Sequence, residues 1–422
     1  MSLPTQRARH PRHWLRFPAA ILWVVLGAAL LAGRAAAQNP KLDLQSFYRT
    51  DLRALAMGNA YGPIARGEGA LLYNPAGLVQ YKFDVKLDAS LAAEGEAGPF
   101  FQDTFDMISG SPSSTDVQNY LAKYLGTSQF YRAQTFANVV ANLAAFNVGL
   151  GGGVLSQTRY GFTFDDTVVN GTLDPGDTLI LDEQSLDITL ASFAFQIFEG
   201  KLLMGITLKN FTFANKTASD TFGNIIASGN IELTTAGATY AGSGYDLGFI
   251  YRLENLFGFS SLAAALRPQA SLVANNVGGI TLQKPGFTTI EVPASYDVGF
   301  AINPELPWSP VHLLIAVQAE DVTGAIPVSE DLGGGVFVDH DRSSTQRLHY
   351  GAELGIWATS TGNHILNFRL GQNRGLNSTG FELNLFSGMR LLYTRYQDDF
   401  GWDGQKDKHT FQAAQLSLGF AF

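Results

Sequence analysis

Apolar and polar residues alternate along most of the chain. The clearest stretch is Phe83 to Leu91, in which the odd-numbered positions are apolar and the even-numbered positions are polar. A β-strand places successive side chains on opposite faces, so this pattern predicts strands with one apolar face. Similar patterns, some of them weaker, predict about fourteen strands. The predicted strands are 83–91, 134–146, 148–160, 186–197, 202–213, 245–253, 262–275, 295–302, 311–320, 348–357, 366–370, 381–385, 391–396 and 415–422.

Alternating segments of this length, separated by turn residues such as Asn303-Pro304, are typical of transmembrane β-barrels. The fold class predicted is all-β, a transmembrane antiparallel barrel of about 14 strands with an N-terminal plug segment in the lumen. The composition, with 45 Gly, 30 Phe, 15 Tyr and 15% charged residues, suits a lipid-facing barrel with aromatic girdles. A soluble β-sandwich could share that composition, so the prediction depends on the alternation.

Two regions lack the alternation. Residues 38–80 contain Gly and Pro and precede the first strand, which predicts a plug (hatch) segment followed by a barrel over 81–422. Residues 95–128 are predicted to form a long loop. Within it, apolar residues at helical spacing predict a short amphipathic helix over 116–125, which would either pack with the loop or cover the barrel mouth.

Residues 1–37 have the order of regions found in a secretory signal peptide. Four Arg precede an apolar run over 17–31, and small residues at 35–37 offer a cleavage site. An uncleaved anchor is the alternative, but the run is shorter than the roughly 20 residues of a spanning helix. Without the five Arg of this region, the net charge of −9 becomes −14, which disfavours nucleic acid as a partner.

The last strand carries Leu416, Leu418, Phe420 and Phe422 on one face, with small or polar residues between them. This pattern resembles the C-terminal insertion signal that the barrel-assembly machinery recognises in outer-membrane proteins. The predicted location is therefore the cell outer membrane, with outer-membrane lipid and the assembly machinery as partners.

No catalytic, cofactor or metal site is predicted. The five His after residue 37 lie in no motif with Ser, and none of them pairs at the spacing of a zinc site. No enzyme activity is therefore expected. From the alternation, Asp246 is expected to face the lumen and to tolerate a charged substitution far better than Phe249 on the lipid face.

The segments RALAMGNA (53–60) and EGALLYNPAGL (68–78) resemble the N-terminal signature of the FadL/PorV superfamily of outer-membrane barrels. The matching plug signature is Met57, Gly58 and Asn59, where Asn59 replaces the usual second Gly. The matching plug bend is Asn74, Pro75 and Ala76. Pro fixes φ and forces its predecessor into an extended shape, so a sharp bend is expected where the plug leaves the lumen.

The resemblance implies two functions. FadL-like proteins are passive channels for hydrophobic small molecules, whereas PorV-like barrels bind an exported protein in a secretion or surface-attachment system. A structural barrel that binds envelope polymers is a third alternative. An apolar tunnel along the plug would favour uptake, and a sealed lumen with an apolar patch on the outer loops would favour partner binding.

Overall fold

The computed structural model describes residues 44–80, 84–94, 100, 102–103, 106, 113–166, 174–228, 234–254, 264–284, 289–304, 310–326, 328–331, 337–340, 342–358, 364–386, 388–399 and 408–421. The predicted signal peptide, residues 38–43 of the predicted plug, and Phe422 lie outside these ranges. Within them, no helix has both the length and the apolar character needed to cross a membrane.

Fourteen antiparallel strands form a closed barrel, which confirms the predicted fold class. The barrel strands are β1 (Asp84–Glu94), β2 (Ser128–Leu143), β3 (Val148–Asp165), β4 (Thr178–Ile197), β5 (Leu202–Thr221), β6 (Thr234–Arg252), β7 (Gln269–Asn275), β10 (Ser295–Ile302), β11 (His312–Ala319), β14 (Leu348–Ala358), β15 (His364–Asn373), β16 (Leu376–Phe386), β17 (Met389–Asp399) and β18 (Lys408–Ala421). Two hairpins outside the barrel are formed by β8 (Ile280–Leu282) with β9 (Ile290–Val292), and by β12 (Val328–Asp331) with β13 (Phe337–His340).

Each barrel strand pairs with the next barrel strand along the chain, and β1 pairs with β18 to close the ring. The alternation is the one expected for a barrel in lipid. On β1, Leu87 and Leu91 are 51% and 53% exposed on the outer face, whereas Asp88 is 5% exposed on the inner face. Because lipid contacts every second residue, the sequence pattern marks all fourteen strands, and each predicted segment overlaps one of them.

The strands of one side of the barrel are longer than predicted. For example, β6 begins at Thr234, although alternation was evident only from Tyr245. Its upper part, AGATYAGSG (236–244), is rich in small residues and has no apolar stripe. The four short strands of the two hairpins were not predicted either, because three or four residues cannot display a clear period.

The remaining elements are short helices. They are α1 (Leu44–Tyr48), α2 (Leu52–Ala56), α3 (Glu68–Leu72), α4 (Ser114–Tyr124) and α5 (Phe222–Ser228), with 3-10 turns at Gly62–Ile64, Pro75–Gln80, Ala144–Phe146 and Thr345–Arg347. Helix α4 begins two residues before the predicted helix, because Ser113 caps it in a capping box with Asp116.

The longer connections of the barrel lie at one end and most of the short turns at the other, and in outer-membrane barrels the end with long loops is extracellular. At the long-loop end, α4 and α5 bury a cluster of aromatic and aliphatic side chains against β2, β3 and β4. Phe100, Leu121, Phe164 and Phe222 are at its centre. This packing holds the two loop helices against each other and against the strand ends.

Residues 44–80, hereafter the N-terminal segment, contact strands on every side of the ring. Helix α2 contacts β15 to β18, the turn at Gly62–Ile64 contacts β7, β10 and β11, and the turn at Pro75–Gln80 contacts β2 to β6. One short segment can contact all sides of a closed ring only from within it. The N-terminal segment therefore lies in the barrel interior.

Candidate functional site

The candidate site is the contact between the N-terminal segment and the inner face of the barrel. One part of that face, on β3 to β6, is mainly apolar, and we call it the apolar half. Its buried side chains are Leu155, Leu186, Ile188, Leu190, Leu203, Phe211, Phe213 and Ile250. Phe47 of α1 packs edge-on against Phe213, with the ring centroids 5.8 Å apart, and Tyr48 lies 6.1 Å from Phe211.

The inner face of β10, β11 and β14 to β17 carries ionised side chains, and we call it the charged half. Arg53 of α2 donates from Nε and Nη2 to the two carboxylate oxygens of Glu353, each at 2.9 Å. Arg369 donates to Glu353 and Glu382, each at 2.6 Å. These four side chains alternate in charge and are nearly enclosed, so each one compensates its neighbour.

Further ion pairs hold other parts of the N-terminal segment. Arg49 donates to Asp297 at 2.8 Å and to Asn275 at 2.6 Å. Glu68 accepts from Lys86 and from Arg390, each at 2.7 Å. Burial alone would raise the pKa of Glu68, but Lys86 and Arg390 hold that pKa below its ordinary value.

An ion pair also lies within the apolar half. Lys209 is fully buried, lies 2.6 Å from Asp246 and donates to the hydroxyl of Tyr48 at 3.0 Å. The comparison of Asp246→Lys with Phe249→Lys stays a prediction, but the pairing with Lys209 raises the cost expected for Asp246→Lys. Asp246 does face inward, but it faces a packed interior in which a second Lys would lie beside Lys209 without a counter-charge.

The predicted plug signature lies against β14 and β15. Gly58 has φ of +61°, and a Cβ on Gly371 would come within 2.1 Å of the Gly58 nitrogen. Asn59 also has a positive φ, of 61°, a conformation that Asn tolerates better than most residues. The departure of Asn59 from the superfamily's Gly is therefore compatible with this backbone. Met57 is fully buried beside the same strands.

The predicted plug bend lies against β5 and β6. Asn74 is fully buried and donates to the carbonyls of Gly62 at 3.0 Å and Phe249 at 3.3 Å, while its Oδ1 accepts from the amide of Ala76 at 3.1 Å. A Cβ on Gly248 would come within 2.1 Å of Asn74 Oδ1, and a Cβ on Gly205 within 2.5 Å of the Pro75 carbonyl carbon. Glycine in both strands thus makes room for the Asn74-Pro75 turn.

The residues of the predicted insertion signal lie on the closing strand. Leu416 and Leu418 are on the outer face, 38% and 46% exposed, and Ser417 between them is buried inside. The backbone of Phe420 pairs with Val85 of β1. Phe422 lies outside the described residues, so the recognition role of this pattern stays a prediction.

A small polar cavity separates the N-terminal segment from the wall near the long-loop end. It is lined by Gln45, Arg49, Thr50, Leu55, Asn59, Tyr73, Arg132, Gln318, Glu320, His349, Asn373 and Arg374. His349 contacts Glu320 at 3.1 Å and the carbonyl of Gly58 at 3.0 Å, and Arg374 donates to Glu320 at 3.0 Å. Most of these contacts could not be predicted from the sequence. Alternation shows which face of the strand a residue lies on, but not which residue it meets across the lumen.

No group of His, Cys, Asp and Glu side chains within the described ranges could hold a metal ion. A scan against protein-family models gives no match, and a search of curated proteins gives none either.

Among solved structures, a mutant of the TodX monoaromatic hydrocarbon channel is 13% identical, with a TM-score of 0.51 over 90% of this chain and 100% of that one. The Pseudomonas putida toluene transporter TodX is 12% identical, with a TM-score of 0.47 over 87% of this chain and 97% of that one. A Pseudomonas aeruginosa FadL homologue is 10% identical, with a TM-score of 0.36 over 88% and 98%. With its closed ring of fourteen antiparallel strands, the protein has the β-barrel fold of the TodX channel structure.

Proposed function

We propose that this protein is a passive uptake channel for hydrophobic small molecules in the outer membrane, and that residues 38–80 are its plug. The fold it shares with the TodX hydrocarbon channel and the superfamily signature over 53–78 support the proposal. The observation that carries it is the apolar half, where the N-terminal segment covers a continuous set of aliphatic and aromatic side chains.

The apolar half gives a hydrophobic molecule a surface on which to travel once the plug shifts. Phe47 and Tyr48 occupy that surface against Phe211 and Phe213. Displacing α1 would exchange protein contact for ligand contact with little change in the apolar area exposed to water. The ion pairs of the charged half would meanwhile keep the rest of the plug attached, so that α1 moves while residues 49–80 stay in place.

The Asn74-Pro75-Ala76 turn is the proposed plug bend, where the chain passes from the plug to the wall. It is held by side-chain hydrogen bonds to the backbone and by close contact with β5 and β6, next to the apolar half. Pro75 restricts the backbone at this point, so the path of the chain from the plug to β1 is defined.

A partner-binding barrel of a secretion or surface-attachment system is the second candidate. Tight packing at Gly58, Gly371, Gly205 and Gly248 favours it, because a closely fitted N-terminal segment suits a lumen that stays sealed. In that case the barrel would anchor an exported protein and transfer nothing.

The experiment compares three forms of the protein in planar bilayers and lipid vesicles: the intact protein, a deletion of 38–72, and Pro75→Gly. The deletion should still insert, because the wall hydrogen bonds close without the plug, and its ion conductance should exceed that of the intact protein more than about tenfold. Pro75→Gly frees φ and should give intermittent openings. A fluorescent hydrocarbon probe should enter vesicles that contain the intact protein but not empty vesicles. Its rate of entry should differ from that of the intact protein in both variants.

A deletion that inserts normally but conducts no ions would contradict the plug assignment. If the deletion conducts ions but the intact protein transfers no probe, the plug assignment stands and uptake is rejected in favour of partner binding. Empty vesicles and an unrelated barrel of similar width control for leakage through the lipid.

A further inference from the structure

Arg132 on β2 is a buried cation without a carboxylate partner. It is 6% exposed, and its Nη2 donates to the hydroxyl of Tyr396 at 2.6 Å, with the guanidinium 5.3 Å from that ring. Over the described part of the chain, no Asp or Glu lies within ion-pair distance of it. A neutral hydroxyl and a ring face compensate only part of a full charge, so leaving this Arg uncompensated would be costly.

Four other interior cations have carboxylate partners. Arg49 has Asp297, Arg53 has Glu353, Lys209 has Asp246 and Arg374 has Glu320. Arg132 differs from these four, and it is also one of the residues that line the polar cavity described above.

The cavity is lined by more cationic than anionic side chains. Three guanidinium groups line it, those of Arg49, Arg132 and Arg374, against one carboxylate, that of Glu320. Gln45, which is fully buried, also lines it, and its Oε1 has no partner among the described atoms. The Gln45 Nε2 donates to the hydroxyl of Ser295. Because that hydroxyl can also donate, the amide can be turned so that Oε1 accepts from Ser295 and an N–H of Nε2 points into the cavity.

We propose that this cavity binds one small anion, a halide or the carboxylate of a small acid, as the counter-charge of Arg132. The free space accommodates about one or two water-sized species, which excludes a bulky anion. Gln45, Arg49 and Asn59 belong to the N-terminal segment, whereas Arg132 and His349 belong to the wall. A bound anion therefore connects the segment to the barrel, independently of whether the channel transports anything.

The test uses the purified mature barrel in detergent, exchanged into sodium gluconate, whose anion is too large for the cavity. Gluconate is then replaced by chloride or by acetate at constant ionic strength. The apparent unfolding temperature is read from heat-modifiable gel mobility, and chloride binding from the line width of the chlorine NMR signal. The variants are Arg132→Met, Arg132→Lys and, as a matched loss of charge, Arg395→Met on the exposed outer face of β17.

The unfolding temperature of the wild type should rise by about 2 °C or more at an anion concentration of about ten times Kd. Arg132→Met should show no rise and should be at least as stable as the wild type in gluconate, because it buries no uncompensated charge. Arg395→Met should respond as the wild type does, and Arg132→Lys should respond more weakly. A response to chloride alone identifies a halide, and a response to acetate alone identifies a carboxylate.

Equal unfolding temperatures of the wild type in gluconate, chloride and acetate would overturn the proposal. So would a response of Arg132→Met equal to that of the wild type. If Arg132→Met does not fold, the wild type decides: saturable line broadening of chlorine, or a saturable rise with acetate, supports the site, and the absence of both rejects it. None of these measurements involves transport, so failure here leaves the uptake proposal standing.

Discussion

The two halves of the barrel interior hold the N-terminal segment by different forces. On the apolar half, Phe47 and Tyr48 pack against other rings, and such contact is non-directional and tolerates sliding. The polar contacts there are the hydrogen bond from Lys209 to Tyr48 and the guanidinium of Arg159 over the Phe47 ring. On the charged half, Arg53 makes two hydrogen bonds in a fixed geometry to Glu353, and such a pair loses most of its energy when displaced.

This difference suggests how one segment can both seal and move. The charged half fixes the position of the segment, because each nearly enclosed ion pair has one favourable arrangement. The apolar half fixes only the area covered, so in the proposed channel a hydrophobic molecule would replace the side chains there. The proposed anion adds a third connection, between Arg132 and the first residues of the segment.

The largest effect on stability is expected from Glu353→Gln. The change removes the carboxylate between Arg53 and Arg369, both of which are nearly enclosed, and leaves only Glu382 to compensate them. Breaking a buried ion network by removing one member should cost roughly 3 to 5 kcal/mol of unfolding free energy. Urea unfolding of the detergent-solubilised barrel, followed by tryptophan fluorescence, measures it.

Arg395→Met on the outer face of β17 is the control for that substitution and should change stability little. A loss below about 1 kcal/mol for Glu353→Gln would mean that water reaches the charged half and that its ion pairs resemble surface pairs.

The next largest effect is expected from Phe47→Ala on the apolar half. Phe47 is 3% exposed, and its removal leaves a cavity beside Phe213, which should cost roughly 3 kcal/mol. Transport measurements separate the two halves. Phe47→Ala should speed transfer of the hydrocarbon probe, because it removes the contacts of Phe47 with Phe213 and with the guanidinium of Arg159 and leaves the ion pairs of the charged half intact. Glu353→Gln should instead raise ion conductance. Identical changes of conductance and transfer in both variants would remove the distinction between the halves.

The sequence predicted the wall well and the interior poorly. Lipid requires an apolar residue at every second position, so the local sequence of each barrel strand, from β1 to the closing strand, shows the alternation that predicts it. The pairing of Arg53 with Glu353 joins residues 300 positions apart, and nothing local marks it. Of the interior residues, the Gly58 and Asn74 motifs were found because the superfamily resemblance drew attention to them.

The ion pair at Asp246 was missed for the same reason. Alternation placed its side chain inward, which is correct, but it did not show that Lys209 lies beside it. In the structure the interior is filled, and the tolerance of an inward position depends on its partner.

The smallest effect is expected where the two halves can be made more alike, by removing the ion pair from the apolar half. The double variant Lys209→Met with Asp246→Asn replaces two buried charges by an apolar and a neutral polar side chain. Asn keeps an oxygen for the amide of Asn276, which donates to Asp246 at 2.8 Å. Replacement of a buried pair by neutral groups is often neutral, so unfolding free energy should change by less than about 1 kcal/mol. Lys209→Met alone should cost roughly 3 kcal/mol, because it leaves Asp246 buried without its cation.

The double variant also frees Tyr48, whose hydroxyl accepts from Lys209, so α1 should detach more easily and probe transfer should increase. If the double variant is as unstable as the single one, Lys209 contributes through its contacts with Tyr48 and Phe211 rather than through charge, and the apolar half depends on a cation–π arrangement that the area of apolar contact does not describe.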